Sequence, residues 1–199
     1  EAIMAAARKI DNLFFGRFAI QHIEDANHML DMEVKYPFAK RIEGLIQVFE
    51  SVSSQVDSVL SNGDFPFVIA ADHGSAGGTI AGIKKAYPNK RLGVVWIDAH
   101  GDLHTPYTTP SGNMHGMPLS IAIAEDNLPE QKNILSAKET ELWNRLKTMG
   151  SAAVTWFSSF LGHGRARIAD HRRLHDLVLA RQLPFAGFQI QRQREKIEH

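Results

Sequence analysis

The sequence predicts an α/β fold built on a parallel sheet, and three features carry that expectation. Residues 37–61 repeat apolar side chains at helical spacing, residues 65–71 and 92–97 are short continuous apolar runs, and a helical segment at 76–87 separates the two runs. Strand, helix, strand in that order is a βαβ unit, whose connection is right-handed in nearly every known case. Within 37–61, Ile42, Leu45, Ile46, Phe49, Val52, Val56, Val59 and Leu60 form one buried stripe of a long amphipathic helix. Pro37 suits its first turn, and Asn62-Gly63 is a stop signal where a positive φ is needed. Phe65-Pro66-Phe67-Val68-Ile69-Ala70-Ala71 and Leu92-Gly93-Val94-Val95-Trp96-Ile97 read as strands buried on both faces, as a parallel sheet requires. Asp72-His73-Gly74-Ser75 breaks the first run, and Pro88-Asn89 ends the helix that follows. A polar loop rich in Thr, Pro, Ser, Gly and Asn runs from Asp98 to Gly116, and 118–124 and 137–149 read as helices.

Composition narrows the function. The 199 residues carry 22 Lys+Arg against 22 Asp+Glu, a balance that argues against a nucleic acid or a membrane surface as the main partner. With no cysteine, disulfides, zinc–thiolate sites, iron–sulfur clusters and a thiol nucleophile are excluded. The longest apolar runs are too short to span a bilayer, and no basic stretch followed by an apolar one opens the chain. The first residue is Glu1, which leaves room for a leader lost upstream. A cytoplasmic globular protein is expected, of a length that suits one α/β domain or a large part of one.

Chemistry concentrates after the two predicted strands. In extended chain, residues i, i+2 and i+4 share a side, so Asp98, His100 and Asp102 can converge at the carboxyl end of the second strand. Open α/β sheets place ligand sites at that edge, and a βαβ crossover would bring His73 to it. All four are oxygen or imidazole donors, which suits a hard or borderline divalent ion, Mn²⁺ above Zn²⁺, Co²⁺ or Ni²⁺. Bridging carboxylates make a binuclear centre plausible, and two ions would deprotonate a shared water. The blander alternative is that Asp98 starts a turn and Asp72 caps the helix behind it.

Three motifs in order, Ala71-Asp72-His73-Gly74, Trp96-Ile97-Asp98-Ala99-His100-Gly101-Asp102 and the run from Thr105 to Gly116 containing Ser111-Gly112-Asn113-Met114-His115-Gly116, resemble the ureohydrolase superfamily. That family comprises arginase, agmatinase and formimidoylglutamase, and the third motif is most similar to arginase. The resemblance covers roughly residues 65–125. It implies a three-layer α/β/α sandwich around a mainly parallel sheet, assembled into trimers or hexamers. It also implies manganese-dependent hydrolysis of linear amidine or guanidine C–N bonds, arginine giving ornithine and urea, with a small guanidino or amidino substrate. By the same resemblance His73 and Asp102 are ligands of one manganese ion, Asp98 bridges, and His100 serves the second. His115 matches the acid/base histidine, and Ser111 and Asn113 match contacts to the amino-acid end of the substrate. His104 stands where arginases usually carry an asparagine at the substrate's carboxylate end, which keeps agmatinase and formimidoylglutamase activity open as alternatives. Ala70-Ala71 replaces the usual Gly-Gly.

The later metal-binding Asp-x-Asp motif of the family has no match: after position 103 the aspartates are Asp126, Asp170 and Asp176, none two apart. Up to residue 150 there are nine Lys and five Arg; beyond it, one Lys and seven Arg. These shifts divide the chain into a ureohydrolase-like part, 1–150, and a non-matching basic tail, 151–199. The expectation is therefore an N-terminal part of a ureohydrolase whose sheet and second metal site are incomplete on the C-terminal side. A catalytically inactive metal-binding fragment is the alternative, and a nucleic-acid module based on Arg165, Arg167, Arg172 and Arg173 a weaker one. His171 and His175 read as members of an ordinary helix, and 191–199 as a solvated tail.

Overall fold

The computed structural model describes residues 2–124, 126, 131–150 and 154–160, the last stretch by its backbone. All of them lie in the first of two compact units, Glu1–Arg167, and the second is Ile168–His199. The readings of His171, His175 and the tail fall outside the described residues. The described elements are α1 (Ala2–Ile10), α2 (Ile42–Ser61), α3 (Ala76–Ala86), β1 (Leu92–Ile97), α4 (Pro118–Ile123), α5 (Ala137–Gly150) and β2 (Val154–Phe160), an α/β arrangement.

Helix α2 starts later than Pro37. The 36–41 segment spends its backbone groups elsewhere: Ala39 N–H bonds the Tyr36 carbonyl and Lys40 N–H bonds Gly112 O at 2.9 Å. Arg41 takes the left-handed conformation at φ 57°. Its guanidinium donates to the carbonyls of Met29 and Leu30, both at 3.0 Å, which sets where the chain enters the helix. At the far end Asn62 N–H reaches Ser58 O and Gly63 sits at φ 83°, the stop that Asn62-Gly63 predicts.

The stripe of α2 is buried as its spacing requires, with Ile42, Ile46, Phe49, Val52 and Val56 all at 3% exposure or less. Each such side chain contributes about 1.5–3 kcal/mol of burial. Helix α3 lies against it, and the small residues early in α3 explain how closely. A Cβ on Gly77 would meet the Phe49 ring at 2.5 Å, and one on Gly82 would lie 2.6 Å from Ser53 O and 2.7 Å from Val56 Cβ. Leu142, Trp143 and Leu146 of α5 close the same core, together with Met117 and Ile121.

The sheet departs from expectation in three ways. Residues 65–71 form no strand; they run as irregular chain, with Phe65 86% and Phe67 81% exposed. The βαβ crossover instead joins β1 to β2, parallel, with Gly93 opposite Trp156 and Ile97 opposite Phe160. The segment between them contains α4 and α5. Strand β1 is also buried on one face only: Leu92 and Val94 pack against Ile80 and Ala122 and Trp96 is buried, while Val95 and Ile97 face outward. A continuous apolar run is buried on both faces only where other layers cover it. Among the described residues the second face of β1 has no such cover.

The α2–α3 contact yields a stability test. Gly82→Ala should lower stability in urea unfolding by about 1–3 kcal/mol, because the added methyl meets a backbone carbonyl. That outweighs the ~1 kcal/mol of helix propensity that alanine gains. Gly16→Ala, where nothing lies within 4 Å of the added carbon, should stay within about 0.5 kcal/mol of wild type.

Candidate metal centre

The chain leaves β1 at Asp98 and turns at once. Asp98 Oδ1 accepts the backbone N–H of His100 at 2.9 Å, closing a local turn. Asp102 then takes φ 48°, a left-handed conformation uncommon outside glycine though more accessible to aspartate than to most residues. Asp98 and Asp102 are thus brought to one side by a turn and a positive φ, and not by the alternation of an extended strand. The constraint on Asp102 is visible: it is 6% exposed, and the buried indole N–H of Trp96 donates to its Oδ2 at 3.0 Å.

His73 comes from the other side, at the start of the turn leading into α3. Asp72 caps that turn, its Oδ1 accepting Gly74 N–H at 2.6 Å. His73 Nδ1 lies 3.5 Å from Asp98 Oδ2, and its Nε2 lies 3.5 Å from Asp102 Oδ2. The ring is wedged edge-on between Trp96, centroids 5.8 Å apart, and His115 at 6.0 Å. Its Nε2 also lies 2.8 Å from the His115 carbonyl oxygen, which can only accept, so Nε2 carries the proton. Its Nδ1 faces the Asp98 carboxylate on the opposite side of the ring.

This arrangement tests directly whether a cation fits. His73, Asp98 and Asp102 each offer a ligand atom, and these atoms lie within 4.8 Å of one another. A metal-bound imidazole characteristically donates its other N–H to a backbone carbonyl or carboxylate, as Nε2 does here. The Asp98 carboxyl is held below the usual carboxylate range, first by the His100 backbone N–H, with desolvation opposing and His73 adding a smaller favourable effect. The donor set is nitrogen and oxygen and convergent, and it fits a divalent cation.

The remaining candidates lie around this group. His100 is outside it, 80% exposed in its side chain, with Nδ1 3.4 Å from Asp98 Oδ1. His115 contributes its carbonyl to His73 and its ring to the same wall. His104 turns to Thr108, Nδ1 to Oγ1 3.3 Å, and its backbone N–H bonds Gly116 O at 3.0 Å. Ser111 and Asn113 share a tight loop, Asn113 N–H donating to Ser111 Oγ at 3.2 Å. Trp96 stands at the head of the second motif without a role assigned from the sequence; its indole N–H, on an inward strand position, is what contacts Asp102.

A family model described as "Arginase family" matches residues 1–156. The chain belongs to the arginase family. Curated arginases of Bacillus caldovelox and Bacillus subtilis are each 45% identical to it over 84 residues, 42% of this chain. Those segments are 27% and 28% of the two relatives' own length. The solved arginase of Bacillus caldovelox superposes with a TM-score of 0.52 at 26% identity, covering 89% of this chain and 63% of that one. An Entamoeba histolytica arginase, solved in complex with L-ornithine, gives 0.51 at 25% identity, covering 75% and 45%. This arginase-family chain therefore spans roughly half of those structures, and much less of the curated relatives by aligned sequence.

Two measurements check the geometry. Trp96→Phe replaces the buried indole by a smaller aromatic ring and removes the donor to a buried carboxylate, so unfolding should show a loss of about 1–3 kcal/mol. Asp98 is lowered in the folded state, so its stabilisation is present above the ordinary carboxylate value and is lost as pH falls through the folded value. Stability measured between about pH 3 and pH 5 should accordingly rise less steeply in Asp98→Asn than in wild type.

Proposed function

We propose that the chain carries the manganese-binding half of an arginase-type hydrolase, which cleaves a guanidino C–N bond of arginine to give ornithine and urea. The observation that carries this reading is the convergence of His73, Asp98 and Asp102 at the end of β1 in a chain of the arginase family. In this reading these three residues hold a divalent cation, Mn²⁺ by resemblance, and His100 with Asp98 begins a second site that further carboxylates complete. When bound, the metal supplies Lewis-acid chemistry that makes a water nucleophilic near neutral pH.

The chain's own residues have the rest of the work. His115 holds a proton on its imidazole for the departing amine, a task that suits a group whose ordinary pKa lies near 6.5. Ser111 Oγ and the Asn113 amide orient the amino-acid end of the substrate, offering donors and acceptors without a fixed charge. His104 stands beside this loop and adjusts the carboxylate end. The neighbour solved with L-ornithine supports an amino-acid product, and all the relatives named above are arginases, which favours arginine over agmatine or a formimidoyl compound. A complete three-layer sandwich, assembly into trimers or hexamers and a cytoplasmic setting belong to the same proposal. Among the described residues no helix is long and apolar enough to cross a membrane.

The test is cation binding together with turnover on the purified chain. Mn²⁺ titration should show binding that Asp98→Asn and His73→Ala each weaken about tenfold or more. Urea release from arginine in Mn²⁺ should exceed that from agmatine, and His115→Ala should lower it by about 10²-fold or more. Mn²⁺ binding without urea release would identify the chain as a metal-binding piece that is catalytically silent. Absence of Mn²⁺ binding would overturn the proposal.

A further inference from the structure

Glu139 is a buried carboxylate that the chemistry above does not use. It is 3% exposed, in the first turn of α5. Part of its role is local: Ser136 donates to Glu139 Oε2 from both N–H and Oγ, each at 2.9 Å, and Glu139 N–H donates back to Ser136 Oγ at 3.2 Å. This reciprocal cap is a common way to begin a helix, and it works as well in water. A cap alone gives no reason to bury the charge, since a carboxylate withdrawn from water must have its oxygens satisfied.

The second oxygen supplies the reason. Glu139 Oε1 leaves the helix and accepts the backbone N–H of Phe38 at 3.4 Å, from a segment 101 residues earlier in the chain. That segment is the template for the loop carrying Ser111 and Asn113. Ala39 is fully buried, Lys40 N–H donates to Gly112 O at 2.9 Å, and Lys40 pairs with Asn113 in a parallel bridge. Gly112 sits at φ 74°, and a Cβ there would fall on the Pro37 carbonyl oxygen, so the two backbones are in direct contact. Inside the loop, buried Thr109 accepts Ser111 N–H and Gly112 N–H on its Oγ1 at 3.3 and 2.9 Å. An unbroken series of contacts therefore runs from α5 through 37–40 to the loop.

We propose that Glu139 is a positioning residue for the 109–113 loop: it fixes Phe38, and through the 37–40 backbone it holds Ser111 and Asn113 in register. The inference rests on the reading that these two residues take the amino-acid end of the substrate, and it deepens that reading by placing one determinant of substrate binding on a helix remote in sequence.

Site-resolved amide hydrogen exchange on the full 199-residue chain, compared among wild type, Glu139→Ala and Ser136→Ala, tests the clamp without needing activity. Both variants should speed exchange in the first turn of α5. Only Glu139→Ala should also speed the amides of Phe38, Lys40, Gly112 and Asn113, by about tenfold or more for loss of a charged acceptor. Glu139→Gln, with one carbonyl oxygen to serve two sets of donors, should fall between. In the Mn²⁺-loaded chain the same order should appear as a rising KM for arginine with kcat nearly constant. Wild-type exchange at Lys40, Gly112 and Asn113 in Glu139→Ala, or equal loosening of that loop in Ser136→Ala, would overturn the proposal. If Glu139→Ala loses protection throughout α2 and so unfolds, Glu139→Gln decides by the same amides. A wild-type chain that binds no Mn²⁺ while its amides follow the expected pattern would sink the hydrolase reading and leave the clamp standing.

Discussion

A carboxylate buried beside a histidine constrains everything around it, and Asp102 is that carboxylate. Nearly all of it is out of water, in a backbone conformation uncommon outside glycine, so the surrounding structure has to hold it there. Trp96 supplies a donor from the inward face of β1, and His73 closes the other side. The strand, the turn after it and the turn before α3 are therefore locked to one group. Were the acid moved, Trp96 would lose its partner and the His73 ring its position.

The helical layer makes that lock possible. Helix α3 can bring His73 to the end of β1 only because α2 lets it come close, and α2 does so by offering the Phe49–Val56 stripe to the glycines of α3. The same α2 begins immediately after the 36–41 turn, whose backbone is occupied with Gly112. The metal-site side and the loop side of the candidate centre thus meet at the N-terminal end of α2, where a Cβ on Gly74 would lie 3.7 Å from Leu45 Cδ1, and α5 closes the core through Trp143 and Leu146.

Three of the candidate donors were legible in the sequence because their residue types have few other uses in such order. An Asp-His after one apolar run and Asp-Ala-His-Gly-Asp after the next name the donors outright, and His73, Asp98 and Asp102 do converge. The route to convergence was not legible. Alternation along a strand treats Asp98, His100 and Asp102 alike, whereas the turn at 98–100 turns His100 outward and the positive φ of Asp102 turns it in. Glu139 belongs to no motif, and Trp96 opens one without a role being read for it; each matters because of what lies next to it in space.

For the fold, the helices were legible because helical spacing is a local property: the stripe of α2 and its Asn62-Gly63 stop stand where the residues put them. Strands are different, since a strand exists only with a neighbour to bond. The apolar run at 65–71 has the composition of a strand yet remains irregular and exposed, while β1 pairs with Val154–Phe160, a segment that gives no strand signal to a reading focused on its arginine-rich surroundings. The sequence alone determined the candidate donors and the helices from α2 to α5, because those follow from residue type and local period, though it gave no sign of α1 (Ala2–Ile10) and did not separate His100 from the convergent three. Tertiary structure alone decided which strand β1 would meet, how Asp102 would be held and which buried acid would support the loop, because each depends on groups far apart along the chain.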